Sequence, residues 1–133
     1  MTTGRAPGPS LADFEALAFE VDEFDHRAHV YVAWQLVRTA DLLTAIRRYR
    51  ETLIRLTRRL GVPDKYHETI TWYYLVAVAE AAQGPCRDDW ATFEARHPRL
   101  FEKDPGAVRR HYSSERLNSP EARRSFLLPD LAG

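Results

Sequence analysis

Three histidines, His26, His29 and His67, are the residues of this chain whose type and spacing point to chemistry. His26 and His29 are three positions apart in one predicted helix, so both side chains lie on the same helical face. His67 lies in the first turn of a second predicted helix. The positive partial charge at a helix N-terminus disfavours imidazolium, so we expect all three rings to be neutral. A neutral imidazole can ligate a metal ion or act as a general base.

Two kinds of catalytic site can be built from these rings. In the first, His26, His29 and His67 coordinate one divalent metal ion and leave open positions for water and substrate. In the second, the pocket holds no metal and His67 is the general base. Thr71, one turn along the helix, would then orient His67, and Tyr66 or Tyr112 would donate a proton.

Aromatic side chains are candidates for the wall of such a pocket. The predicted ligand-binding residues are Trp34, Trp72, Tyr74 and Tyr112, the last of which would fold back from the C-terminal third. Aromatic residues at helical spacing also fill ordinary cores. A small-molecule enzyme is therefore one interpretation, and a non-enzymatic module that binds a ligand or a protein partner is the alternative, because a fold alone implies no reaction.

The elements that must position the histidines are three long helices, predicted at residues 26–40, 42–60 and 65–83. Asp25 and Asp41 are suitable N-caps for the first two. The connections between the helices are very short, so consecutive helices should run antiparallel. The first and third helices then begin at the same end of the bundle, which brings the histidines together.

The third helix, residues 65–83, is the predicted centre of the fold. Between Ile70 and Ala82 it is apolar or aromatic at nearly every position, which is typical of a helix that is buried on all sides. Asp64 is its predicted N-cap. Val76 is expected to face the interior.

The remaining segments are predicted to be short helices and turns. They are helices at 11–20, at 88 or 89 through 96, at 105–111 and at 119–126. We therefore expect an all-α fold, a compact bundle of about six helices around the buried central helix. Residues 1–9, rich in glycine and proline, are predicted to be a disordered lead, and residues 10–130 a single helical domain.

Composition narrows the function classes. The 133 residues contain 19 basic and 19 acidic side chains, so no general field attracts nucleic acid or an anionic membrane. The arginine-rich outer face of 42–60 is interpreted as a solvated surface. One cysteine, Cys86, excludes an internal disulfide, and no run reaches the roughly 18 apolar residues of a membrane span. We expect a soluble cytoplasmic protein, monomeric or homodimeric, that acts on or binds a small molecule.

Three stretches of the chain form a recognisable pattern. They are His26-Arg27-Ala28-His29-Val30 with Ala33-Trp34, then Tyr66-His67-Glu68-Thr69-Ile70-Thr71, and finally Leu117 with residues 119–126 and Pro129-Asp130. With these residues, nearly all of 11–130 resembles a family of small bacterial helical proteins. The resemblance implies a shared helical domain whose histidines belong to the pattern. It implies no particular reaction.

Overall fold

Seven α-helices and four short 3₁₀ helices make up the computed structural model, which describes residues 6–83, 89–103 and 106–131. No strand occurs within these ranges, and the prediction of an all-α fold is confirmed. The α-helices are α1 (Leu11–Glu15), α2 (His26–Thr39), α3 (Leu42–Arg59), α4 (Glu68–Ala81), α5 (Trp90–Arg96), α6 (Ser114–Leu117) and α7 (Pro120–Arg124). The 3₁₀ helices are Val21–Glu23, Pro63–Lys65, Pro98–Phe101 and Ala107–Arg110.

The first two long helices begin where their caps predict. The Asp25 carboxylate accepts a hydrogen bond from the Ala28 backbone N–H at 2.9 Å at the start of α2. The Asp41 carboxylate accepts one from the Thr44 N–H at 2.7 Å at the start of α3. Each cap satisfies an N–H group that has no partner within its helix. Both helices end one residue before the predicted boundary.

Helix α4 is the central helix of the bundle, since it contacts α2, α3 and α7. It runs from Glu68 to Ala81, so the predicted range 65–83 is too long at both ends. The predicted N-cap is also wrong. His67 caps the helix, while Asp64 lies in the 3₁₀ helix that precedes it.

The faces of α4 are less uniform than its composition suggests. Leu75 and Val78 are fully buried, whereas Val76 is 39% exposed, so the prediction that Val76 faces the interior is wrong. A helix that is apolar on all sides has no polar face from which its orientation can be inferred. The direction of Val76 is set by where α2, α3 and α7 pack, and the composition of α4 carries no information about that.

The N-terminal helix anchors the bundle through one aromatic residue. Phe14 is fully buried, and its ring centroid lies 6.0 Å from that of Tyr49 on α3. The predicted helix 11–20 is too long, because α1 ends at Glu15. Leu17 has a φ of 56°, which is incompatible with continuation of a right-handed helix.

Part of the predicted disordered lead contacts α2. A Cβ atom added to Gly8 would lie 3.0 Å from the Ala28 Cβ, so the backbone of this segment passes very close to the helix. The Pro9 carbonyl accepts a hydrogen bond from Gln35 Nε2 at 3.0 Å. The first five residues of the lead, like the Gly84 to Asp88 segment, lie outside the described residues.

The C-terminal third consists of short elements that cover one side of α4. The helix predicted to end at residue 96 is α5, and the one predicted at 119–126 is the shorter α7. The segment predicted as a helix at 105–111 contains the 3₁₀ helix Ala107–Arg110, and α6 was not predicted. The 3₁₀ helix Ala107–Arg110, Tyr112 and α6 form a second buried cluster with α4. Its members are Tyr74, Ala107, Val108, Tyr112 and Leu117.

Candidate functional site

A cavity of about 400 Å³ lies where α2 and α4 begin and the C-terminal half of α3 passes them. Its position is the end of the bundle at which the antiparallel arrangement places the histidines. The volume is in the range of small-molecule sites. We call this cavity the histidine pocket. Its lining includes Phe24, His26, His29, Val30, Tyr49, Leu53, Leu56, Lys65, Tyr66, His67, Ile70, Thr71 and Tyr74.

His67 has hydrogen bonds on both ring nitrogens. Nε2 lies 2.7 Å from the Leu117 carbonyl and must donate to it, while Nδ1 accepts from the Ile70 N–H at 3.2 Å. One neutral tautomer satisfies both bonds. Burial lowers the pKa of His67, and the positive charge of Arg123 adds to this effect. The ring therefore ties the start of α4 to α6, and the predicted role as general base requires that one of these bonds break.

His26 also donates to a backbone carbonyl. Its Nε2 lies 2.8 Å from the Leu100 oxygen, which attaches α2 to the 3₁₀ helix Pro98–Phe101. The ring packs edge-on against Tyr74, with 4.8 Å between the centroids. The His26 ring thus forms part of the pocket wall.

His29 differs from the other two histidines. Its Nδ1 donates to the Asp25 carbonyl at 2.7 Å, and the ring stacks on Phe24 with 4.0 Å between the centroids. In this neutral tautomer Nε2 is an acceptor, and it forms no hydrogen bond with the part of the chain that the structure describes. Burial lowers the pKa of His29, so the neutral ring is favoured. His29 through Nε2 and His26 through Nδ1 each keep a lone pair that bonds to no described residue, whereas both ring nitrogens of His67 are engaged.

The geometry bears on the predicted metal site in one respect. Among the described residues, no group of three His, Cys, Asp or Glu side chains is arranged to hold a metal ion. A metal coordinated through Nε2 of His26 or His67 would replace a hydrogen bond to a carbonyl oxygen. The divalent metal bound by the three histidines stays a prediction.

Glu68 organises the polar groups next to the pocket. Its carboxylate, on a residue that is 8% exposed, accepts hydrogen bonds from the Tyr66 hydroxyl at 2.6 Å and from Trp72 Nε1 at 2.9 Å. Arg50 Nε lies 3.1 Å from the same carboxylate and forms an ion pair with it. A buried carboxylate with three donors is well satisfied.

Tyr66 and Thr71, two of the residues predicted to assist His67, form hydrogen bonds with other groups. Burial and the hydrogen bond to Glu68 raise the pKa of Tyr66, which makes it a poorer proton donor. The Thr71 hydroxyl donates to the backbone carbonyl of His67 at 2.8 Å, so it fixes the helix start and leaves the ring alone. Both side chains line the pocket, but neither has a hydrogen bond to the His67 ring.

Of the four aromatic residues predicted to bind a ligand, Tyr74 is the one that lines the histidine pocket. Trp34 packs against Trp90 and Phe93 with Arg38 above its ring. Trp72 and Tyr112 instead contact residues of the C-terminal third of the chain. Trp72 stacks on Phe126, and Tyr112 is buried with its hydroxyl donating to the Leu127 carbonyl at 2.6 Å.

Helix α3 supplies lining residues that were not among the predicted site residues. Tyr49, Leu53 and Leu56 face the cavity. They lie on the apolar stripe of α3, which the sequence does show. That stripe predicts burial, but it does not separate residues that contact other side chains from residues that border a cavity.

The chain was compared with family models, with curated proteins and with solved structures, and none of them matches. The resemblance to small bacterial helical proteins therefore stays a prediction that rests on the quoted motifs. Within the described ranges, no helix is both long enough and apolar enough to cross a bilayer. Support for a function therefore comes from the pocket itself.

Proposed function

We propose that the protein binds a small apolar or aromatic molecule in the histidine pocket. The observation that carries this proposal is the cavity of about 400 Å³, whose largely aliphatic and aromatic wall includes two histidines, His26 and His29, each with an available acceptor nitrogen. Binding sites of this kind combine an apolar lining with a few polar groups that orient the ligand. The pocket therefore supports a ligand-binding module more strongly than it supports an enzyme.

The polar groups of the pocket favour binding over catalysis. His67, Tyr66 and Thr71 each make a hydrogen bond within the protein, so a ligand would have to displace a bond that stabilises the fold. The Nε2 atom of His29 and the Nδ1 atom of His26 make no such bond with a described residue. The ligand we expect therefore has an apolar body and a hydrogen-bond donor, such as an O–H or N–H group, for one of these nitrogens.

The proposal can be tested with indole and 1-methylindole as probes, followed by two-dimensional NMR of the whole chain. Indole has an N–H donor and 1-methylindole has none. We expect indole to bind with a Kd of roughly 0.1–1 mM, the range of a small fragment, and 1-methylindole to bind several-fold more weakly. In His29→Phe, which removes one of the two acceptor nitrogens, the preference for indole should be smaller.

The matched variants for this test lie on one helix. Ile70 lines the pocket, so Ile70→Trp should fill the cavity and abolish binding. Val76 is 39% exposed on another face of α4, so Val76→Trp should leave binding unchanged. Binding that survives Ile70→Trp, or that is lost equally in both variants, would place the probe elsewhere and contradict the proposal.

A second function, acid–base catalysis in the same pocket, is favoured by His29. A neutral imidazole with a free lone pair in an apolar cavity is suited to accept a proton from a bound substrate or water. Hydrolysis of p-nitrophenyl acetate should then be lost in His29→Gln while indole still binds. Elemental analysis of untagged protein would test whether a divalent metal takes part.

For the setting of this function we propose the cytoplasm and a monomer or homodimer. With Cys86 as the chain's one cysteine, the fold does not depend on an internal disulfide, which suits a reducing compartment. Sedimentation equilibrium of the purified chain would determine the oligomeric state.

A further inference from the structure

A second cavity, of about 950 Å³, lies beside the histidine pocket between α3, the 3₁₀ helix Pro63–Lys65 and α7. We call it the basic cleft. Five of its lining side chains are cationic and two are anionic, a net charge of +3 in a chain whose formal charge is zero. The cations are Arg50, Arg58, Lys65, Arg123 and Arg124, and the anions are Asp64 and Glu68.

The arginine-rich face of α3, interpreted from the sequence as a solvated surface, forms one side of this cleft. Arg50 and Arg58 lie on the side of the helix that faces α7 across the cleft, so charges from distant parts of the chain converge there. Converging like charges cost free energy unless something of opposite sign compensates them. A concave surface with one dominant sign also concentrates its field on ions that enter it.

Most of the positive charge of the cleft is not neutralised within the protein. Arg50 is paired with Glu68, and the Arg123 guanidinium donates to the Asp64 backbone carbonyl at 3.1 Å, which leaves the charge of Arg123 in place. The side chains of Arg58, Lys65 and Arg124 form no hydrogen bond or ion pair with another described residue. These three side chains can turn toward a ligand without losing an existing partner.

The spacing of the cations selects an extended anion. The three cations without partners come from three elements around the cleft, Arg58 from α3, Lys65 from the 3₁₀ helix and Arg124 from α7. A single phosphate is too small to contact cations that surround a cavity of about 950 Å³. Arginine binds phosphoryl oxygens through paired N–H donors, and several such groups around one cleft match a chain of phosphates.

We infer that the basic cleft binds a small molecule that carries a linear di- or triphosphate group. The inference is independent of the ligand in the histidine pocket, because it uses the cations of the cleft and none of the histidines. Lys65 and Tyr66 line both cavities, so an organic part attached to the phosphates has a route toward the histidine pocket.

The inference is tested by isothermal titration calorimetry of the whole chain with sodium tripolyphosphate and with orthophosphate. We expect tripolyphosphate to bind at least about tenfold more tightly than orthophosphate, since it can contact several cations at once. Arg58→Gln and Arg124→Gln should each weaken tripolyphosphate binding by about tenfold, the loss of one charge-assisted contact. Both side chains are exposed and without partners in the described chain, so the variants should fold normally.

Arg99→Gln is the matched control, because it removes the same charge from an exposed position that lies outside the cleft. It should change the Kd less than about twofold at physiological salt, where distant charges are screened. An equal effect of all three variants, or equal affinity for the two anions, would overturn the inference. So would duplex DNA that binds more tightly than tripolyphosphate and depends on the same arginines, since the cleft would then be a nucleic-acid site.

Discussion

His67 Nε2 donates to the carbonyl of Leu117 at 2.7 Å, a contact between residues 50 positions apart in the chain. The same ring accepts from the Ile70 N–H and so caps α4. One side chain thus joins the start of the central helix to the C-terminal short helices. This dual use explains why a histidine, which is an uncommon N-cap, occupies the position.

The two bonds of His67 can be separated by substitution. Asparagine is a good N-cap, so His67→Asn should keep the bond from Ile70 but is too short to reach Leu117. Alanine loses both. We expect His67→Ala to lower the free energy of unfolding by about 2–4 kcal/mol and His67→Asn by about 1 kcal/mol less. Urea denaturation of both variants measures the difference, and equal losses would mean that the cap contributes nothing.

The buried histidines should make the protein less stable in mild acid. Burial lowers the pKa of His29 and of His67 below the usual value of 6.5. Above that value both rings are neutral in the folded and unfolded chains. As the pH falls through it, the unfolded chain takes up protons that the folded protein does not bind, so the free energy of unfolding decreases until the lowered folded pKa is reached.

Urea midpoints at about pH 7.5 and about pH 5.5 check this expectation, because the interval spans the titration of unfolded histidine. The decrease should be smaller in His67→Asn, which lacks one of the two titrating rings. A stability that is constant over this interval would contradict the neutral, buried state assigned to the rings.

The central helix offers a direct test of packing. Leu75 is fully buried and its neighbour Val76 is 39% exposed. Leu75→Ala should therefore cost about 2–5 kcal/mol of unfolding free energy, whereas Val76→Ala should cost less than about 1 kcal/mol. Thermal or urea unfolding of the pair gives the answer. Similar losses at both positions would mean that α4 is rotated relative to the orientation described above.

The sequence predicted the long helices well because their signals are local. Asp25 and Asp41 mark two helix starts, and the caps form as expected. The predicted start of α4 was wrong because the N-cap is His67, and a histidine side chain rarely caps a helix. The orientation of α4 was equally hidden, since an apolar residue such as Val76 looks the same whether it faces the core or water.

The candidate site was predictable in position but not in detail. Short connections between helices bring His26, His29 and His67 to one cavity, and this follows from topology alone. Which ring nitrogens stay free depends in part on the carbonyls of Leu100 and Leu117, far along the chain. Helical periodicity contains no information about such long-range hydrogen bonds.

Glu68 and Arg50 provide the last prediction. Their ion pair has a carboxylate side chain that is 10% exposed and a guanidinium that is 37% exposed, and the carboxylate also accepts from Tyr66 and Trp72. Glu68→Gln should cost about 1–3 kcal/mol, because an amide cannot satisfy all three donors and the cation loses its partner. The exposed pair Arg47–Glu51 is the control, and Glu51→Gln should cost about 0.5 kcal/mol or less.

A double-mutant cycle separates the ion pair from the rest of the Glu68 network. If the main cost of Glu68→Gln is the unpaired Arg50, then Arg50→Met combined with Glu68→Gln should be destabilised by less than the sum of the single variants. If the cost comes from the hydrogen bonds of Tyr66 and Trp72, the two effects should simply add. Urea unfolding of the four proteins distinguishes these cases, and additivity would show that Arg50 and Glu68 are not energetically coupled in the fold.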